Sequence, residues 1–532
     1  MSRRSREGGV VLIVIAAMLV LAVVASLTVA IARSATGPRR DTVSDRALAA
    51  ARESLVAYAT SRPIDAIVGP GYLPCPDLDD DGWAEPTCGS MTGETGQWQR
   101  LGRLPWKTLG LPDPRDGHGE RLWYAVSSKH KGLLNCTVSE ACLDMGPESA
   151  LGTITVRDSA GTVIHDGTRA DPYETSAGGA VAIVFAPGPA LGRWTGPDSP
   201  PLQQLRTCEG GLCNAAQHCL TVPPTRTPKC DPANYLDRSP GAAYADEDNA
   251  RFVDRNDLAG RLANRDGFIH GPVAGPDGRT WVNDRLAVIT YDELMPRVMR
   301  RVADEVAGCL REFGALPGNR GLLPWATPLC RADHPDEALR FADASGVLFG
   351  RVPDTPFLAS QRDAGERLSP TWVQGPAGCR IADSSGTTAG ASGRSWWHFW
   401  KRHVFYALSP AFRPDAPAPP ACDRLSCLVR AETAGAGTAE RHSFAVLVAG
   451  APLRHNAAVQ ARGGRAESDA RNWLEGGNAE LRLLNPNPAA PECSANATEP
   501  SRPVGGETLR VSIARTPGRN DVVVLGRTEG AP

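Results

Sequence analysis

Residues Val10 to Ala32 constrain this 532-residue chain more than any other stretch: 23 consecutive residues without a charge, broken only by Ser26 and Thr28. A helix over that run is about 34 Å long, enough to cross a hydrocarbon core. Arg3, Arg4 and Arg6 precede it with a single acid, Glu7, and the boundary is Gly8-Gly9. Positive charge before the span and a large polar chain after it orient the N-terminus to the cytoplasm. The expectation is a single-pass inner-membrane protein whose C-terminal bulk is periplasmic or at the cell surface. A cleaved secretory signal is a poor fit, because its apolar stretch runs to about 7–15 residues.

The rest of the chain is too long for one ordinary domain, so two or three units are expected. A net charge of -2 argues against nucleic acid as a partner. Glycine and proline supply about a fifth of the residues and predict many turns. Fourteen cysteines, none in the apolar run, include the close pairs Cys75/Cys88, Cys136/Cys142, Cys208/Cys213 and Cys422/Cys427. Without a C-x-x-C or other zinc spacing, they read as disulfides in an oxidising compartment. The pairs carried forward as disulfide candidates are Cys75, Cys88, Cys136, Cys142, Cys422 and Cys427.

A short basic leader that ends in glycine directly before an apolar helix resembles the class III leader of type IV pilins and type II secretion pseudopilins. The resemblance implies cleavage by a prepilin peptidase between Gly9 and Val10 and methylation of the new N-terminus. It also implies that the helix packs with other pilin-like subunits in the core of a filament. Most family members carry glutamate at the fifth mature position, which is Val14 here. That departure resembles the atypical minor members placed at filament tips.

Past the run, 1–9 reads as leader, 10–32 as transmembrane and assembly helix, and 33–62 as a kinked helical continuation. Gly37-Pro38 disfavours helix at the kink. Leu48, Arg52, Leu55 and Ala59 then share one face, with Ala51 and Val56 beside it. A first α+β unit spans 41–292, with a Cys-rich excursion at about 192–231. It contains Asp77, Asp79, Asp81 and Gly82, the D-x-D-x-D-G core of a calcium loop whose alternating carboxylates place hard oxygens around a hard cation. The twelfth position, where a bidentate glutamate belongs, is Cys88, and Glu85 is the nearby acid. Calcium and a solvated acidic turn both fit. The set "LPCPD…DG", "GRLPW", "DGHGERLWYA" resembles an extracytoplasmic domain of large pilin-like proteins over roughly 41 to 130. Val181 to Phe185 reads as a buried central strand.

A second unit, 293–532, follows the same order of landmarks. Leu55 corresponds to Leu310, Leu73-Pro74 to Leu323-Pro324 and Trp123-Tyr124-Ala125 to Phe405-Tyr406-Ala407. Val181–Phe185 corresponds to Phe444–Val448 at an offset of 263, Asn234–Asp237 to Asn472–Glu475, and Asn283-Asp284 to Asn520-Asp521. These matches predict a repeat of the first unit. Trp396, Trp397 and Trp400 form the densest aromatic stretch and read as core. No G-x-S-x-G, H-E-x-x-H or P-loop is present, so no enzyme is expected.

The fold class expected is α+β: a long N-terminal transmembrane helix, then a tandem duplication of a helix-plus-antiparallel-sheet domain, loop-rich and disulfide-bonded. The function expected is a structural component of a type IV pilus or type II secretion pseudopilus, at a tip or initiating position. The competing expectations are an uncleaved anchored binding or adhesin-like protein and a calcium-dependent periplasmic hydrolase.

Overall fold

The computed structural model describes residues 18, 38–62, 70–88, 97–131, 150–169, 178–194, 200–206, 230–239, 248–252, 254–256, 262–264, 267–275, 278–329, 341, 343–354, 396–417, 420–422, 426–430, 441–455, 458–460, 469–475, 477–484, 508–509 and 521–527. The architecture is mixed α/β, with two long helices, two principal sheets and several two- or three-stranded ones. Helix α1 covers 38–61 and helix α2 covers Tyr291–Ala315.

The expected fold class and the expected single-pass inner-membrane location are both corrected here. No helix among the described residues is long and apolar enough to cross a membrane. The physical reason is charge. Helix α1 carries Arg39, Arg40, Asp41, Asp45, Arg46, Arg52 and Glu53, and α2 carries Arg297, Arg300, Arg301, Asp304 and Glu305, which a hydrocarbon core does not tolerate. Of the run 10–32 only Met18 is described, so Gly9, Val10 and the predicted kink before Pro38 lie outside the described residues.

The first principal sheet is antiparallel, in the order β1 (Leu101–Arg103), β2 (Trp123–Val126), β3 (Ala182–Ala186), β4 (Arg285–Ile289). Every residue of β3 is buried, as a strand apolar on both faces should be. Leu48, Ala51, Leu55, Val56 and Ala59 of α1 are buried in the same apolar cluster as Tyr124, Val126 and Val184. The second sheet begins in the same way: β5 (Phe349–Arg351), β6 (Val404–Leu408), β7 (Arg441–Val448), with β8 (Val522–Arg527) on the far side of β7. The short strands Leu428–Arg430 and Thr508–Leu509 extend it. Helix α2 lies against β7 and β8.

The two sheets agree residue by residue. The Tyr124 hydroxyl donates to the Pro74 carbonyl, and the Tyr406 hydroxyl to the Pro324 carbonyl, both at 3.1 Å. Tyr124 stands opposite Val184, and Tyr406 opposite Val446. That register puts the β3–β7 correspondence at 446 − 184 = 262, one less than the sequence offset of 263. A strand buried on both faces has no polar alternation to fix its phase, so a one-residue slip leaves its apolar pattern unchanged. Gly102 and Gly350 share a further constraint. A Cβ on Gly102 would sit 2.7 Å from the Asp77 carbonyl oxygen, and one on Gly350 2.0 Å from that of Thr327.

A single apolar cluster holds both helices and parts of both sheets, from Leu48 to Val524. Helix α2 contributes Val298, Val302, Val306, Leu310 and Phe313, and also Met295, Met299, Ala303 and Ala307, so it is buried on more than one face. Trp396, Trp397 and Trp400 are buried in this cluster as well. Arg52 pairs with Glu293 at 2.6 Å and Arg297 with Glu53 at 2.7 Å, joining the two helices on their wet side. Such exposed pairs contribute little to stability. Disulfides join Cys75 to Cys88 and Cys422 to Cys427, and Cys230 and Cys309 are also disulfide-bonded. Cys136 and Cys142 lie outside the described residues.

Because the core is common to both units, unfolding is expected in one cooperative step. Leu55→Ala and Leu310→Ala should each cost about 3 kcal/mol in that step. Urea titrations followed by fluorescence and by far-ultraviolet dichroism check this, and two separated transitions would refute the common core.

Candidate metal site and arginine clamp

The acidic stretch after Cys75 is held against the edge of the first sheet. Asp77 exchanges backbone hydrogen bonds with Arg103 of β1, its N–H donating to the Arg103 carbonyl at 3.0 Å and its carbonyl accepting the Arg103 N–H at 2.7 Å. Beyond Asp77 the chain turns sharply. Asp80 and Gly82 adopt positive φ, 64° and 91°, and the indole of Trp106 lies 2.7 Å from where a Gly82 Cβ would be. A residue with a side chain at position 82 would therefore be strained and would also clash. The disulfide Cys75–Cys88 closes the stretch from beneath.

The Asp77 side chain organises this turn. Its Oδ1 accepts the N–H groups of Asp80 (2.7 Å) and Asp81 (3.3 Å), and its Oδ2 accepts that of Gly82 (2.7 Å). Asp79 Oδ1 accepts the Asp81 N–H at 3.2 Å, and Asp81 Oδ1 the Trp83 N–H at 2.7 Å. Glu85 folds back so that Oε1 accepts the Leu78 N–H at 3.2 Å. Lys107 Nζ donates to the Asp81 carbonyl.

Asp77, Asp79 and Glu85 thus bring one oxygen each to within 4.8 Å of one another. Of the sequence-proposed trio, Asp77 and Asp79 belong to this group. Asp81 does not, and Glu85, the ninth residue of the motif, takes its place. Calcium takes six to eight oxygens, so three carboxylates would need backbone carbonyls or water to complete the shell. Burial pushes the Asp77 carboxyl up to about 7, against the lowering effect of the Gly82 N–H, and the Asp80 and Asp79 charges add to it. Glu85 is raised by the same cause, with Asp79 and Asp81 contributing. A cation among them would relieve this crowding.

His118, beside Asp113, Asp116 and Glu120, lies in a polar turn. Asp116 Oδ1 accepts the backbone N–H groups of His118 (2.8 Å) and Glu120 (2.9 Å), and Arg115 pairs with Asp113 at 2.6 Å.

Sequence reasoning did not find the group beneath the loop. Arg103 is buried, with its guanidinium 4.2 Å from the ring centroid of Trp123 and 4.0 Å from that of Tyr235. It also lies 3.9 Å from Asp80, whose main partner is Arg121 at 2.7 Å. The second unit repeats the clamp: Arg351 sits 3.8 Å from Phe405 and 4.6 Å from Trp473. The signal was present in the sequence as Gly102-Arg103-Leu104-Pro105 and Gly350-Arg351-Val352-Pro353. Where the first unit has Asp77 bridged to Arg103, the second has Thr327 bridged to Arg351, so the carboxylate that gathers the acidic turn is missing there.

Compared with protein families, with curated proteins and with solved structures, the chain matches none.

Asp77 gives a signed pH dependence. A carboxyl raised in the folded state favours folding while protonated, so its contribution is full below the unfolded value of 3.8 and is lost as pH rises to about 7. The slope of stability against pH in that window is expected to be shallower in Asp77→Asn than in the parent, as thermal melts across the window would show.

Proposed function

We propose that this chain is a non-catalytic assembly component of a type IV pilus or type II secretion pseudopilus, a minor pilin-like subunit that displays a bulky head. One observation carries the reading. Downstream of the apolar run 10–32, helix α1 lays one apolar face, Leu48 to Ala59, on a four-stranded antiparallel sheet. A helix that packs with an antiparallel sheet in the head is the layout the leader resemblance implies. Other pilin-like subunits and the prepilin peptidase are the partners this reading implies. A second sheet on the same core makes the head large for a repeating position. Together with Val14 in place of the family's glutamate, that favours a tip or initiating position.

Calcium belongs to the same proposal as a structural ion held by Asp77, Asp79 and Glu85, and in the first unit only. An ion that binds the folded state raises its stability by mass action. Calcium should therefore raise the melting temperature of the parent and leave Asp79→Ala unchanged. An equal rise in both would reject these ligands.

The assembly reading is tested at the N-terminus. Intact mass and N-terminal sequencing of the protein from its native host should give a chain that begins at Val10 with a methylated amine. A retained Met1 would instead support an uncleaved binding protein and overturn the pilin-like role.

A further inference from the structure

Two buried carboxylates join the start of β4 to the turn that carries Tyr235. Asp284 Oδ2 accepts the Asp237 N–H at 2.7 Å, and Asp237 Oδ2 accepts the N–H of Asn283, the residue before Asp284, at 2.8 Å. Asn249 Nδ2 donates to Asp284 Oδ2 at 2.9 Å, and Gln204 Nε2 to Asp237 Oδ1 at 2.9 Å. Both aspartates are fully buried, and among the described residues Asp284 Oδ1 accepts no hydrogen bond.

The surrounding charges do not balance two carboxylates. Arg193 is committed to Asp248 at 2.5 Å and to the Leu236 carbonyl. Arg206 faces Glu120 at 3.6 Å and donates to the Gly188, Asn234 and Tyr235 carbonyls and to Gln204. Arg103 acts on Glu120 and Asp80, and Arg238 is bridged to Asp248, while none of the ion pairs among the described residues includes Asp237 or Asp284. The other ionisable groups nearby are engaged elsewhere. Asp116 Oδ2 accepts the Gly188 N–H, Asp231 Oδ1 accepts the Ala233 N–H, His270 Nδ1 accepts the Leu286 N–H, and Arg285 pairs with Asp41 and Asp45.

The second unit provides an internal control. Asp521, before β8, accepts the Glu475 N–H at 2.8 Å and the Asn478 side chain at 3.2 Å through Oδ2, the same contacts that Asp284 makes. The residue in the place of Asp237 is Glu475, which is half-buried.

We infer that Asp237 and Asp284 hold one proton between them at neutral pH, and that its loss loosens the join between residues 231–237 and β4 in the first unit alone. Isolated like charges in a low-dielectric interior cannot both ionise cheaply. Burial lifts Asp237 to about 7 and Asp284 well above the carboxylate range, with the Asp237 charge adding to the latter. Both shifts are upward, so the latch is firm at low pH and weakens as pH rises through and beyond about 7. Its release would withdraw Tyr235 from Arg103 and Arg206.

Deuterium uptake of the full chain, corrected for intrinsic chemical exchange, reads both latches in one sample. Between pH about 5.5 and about 8.5, protection of 231–237 should fall at least about tenfold relative to 469–475. Asp237→Asn should hold that ratio constant, and Asp521→Asn should not alter the fall. A constant ratio in the parent, or a full fall in Asp237→Asn, would overturn the inference. If Asp237→Asn does not fold, difference infrared spectra of Asp77→Asn protein over the same range decide. Loss of a protonated-carboxyl carbonyl band supports the shared proton, and its absence refutes it.

Discussion

The packing of α2 into a core that it does not own alone is the constraint on which the rest depends. An ordinary surface helix buries one stripe and leaves the other face wet. Helix α2 buries the Val298–Val302–Val306 row and the Met295–Met299–Ala303 row in one cluster that also contains Leu48, Leu55 and Ala59 of α1. The first unit keeps a smaller cluster of its own around Trp123, Phe185 and Phe268, but both helices are buried in the shared one. The chain gains a larger fraction of buried surface than two independent domains of half its length would have, which suits a loop-rich sequence with so many glycines and prolines.

Around that core the two units place the same few polar devices at the same points. A tyrosine hydroxyl on the second strand reaches a proline carbonyl, and an arginine on the first strand lies between two aromatic rings. An aspartate before the last strand catches a backbone N–H and an asparagine. A buried guanidinium is costly unless its surroundings answer its charge, and stacked ring faces do so in part. The units differ where the first adds acids. Asp77 and its turn stand where Thr327 stands, and a buried Asp237 where a half-buried Glu475 stands. The carboxylate-gathered turn at Asp77 thus sets the first unit apart in a structure that is otherwise paired.

The parts legible from sequence were those with a period or a landmark. The buried face of α1, the central strand ending at Ala186, the Cys75–Cys88 bridge and the tyrosine pair all follow from spacing or from rare residues. The register of β7 was not legible, because an apolar run buried on both faces looks the same after a one-residue shift. The arginine clamp was missed because a lone arginine in a short strand reads as exposed. Glu85 was ranked below Asp81 because motif position was weighed before backbone path: Asp81 spends its carboxylate on the Trp83 N–H, while Glu85 turns back to Leu78. Hydropathy of the first residues pointed to a membrane span, yet the long helices that the structure describes are the charged, amphipathic ones that follow.

Only Thr290 separates β4 from α2. Tension along β4 thus reaches α2 without any slack linker to take it up. Strand β4 is held to β3 by five consecutive residue pairs, Arg285 with Ala186 through Ile289 with Ala182. Tension along β4 meets those hydrogen bonds side by side, in shear, where they must break together. The join between the units is therefore short and strand-anchored, and it lies where a flexible hinge would be expected between two domains.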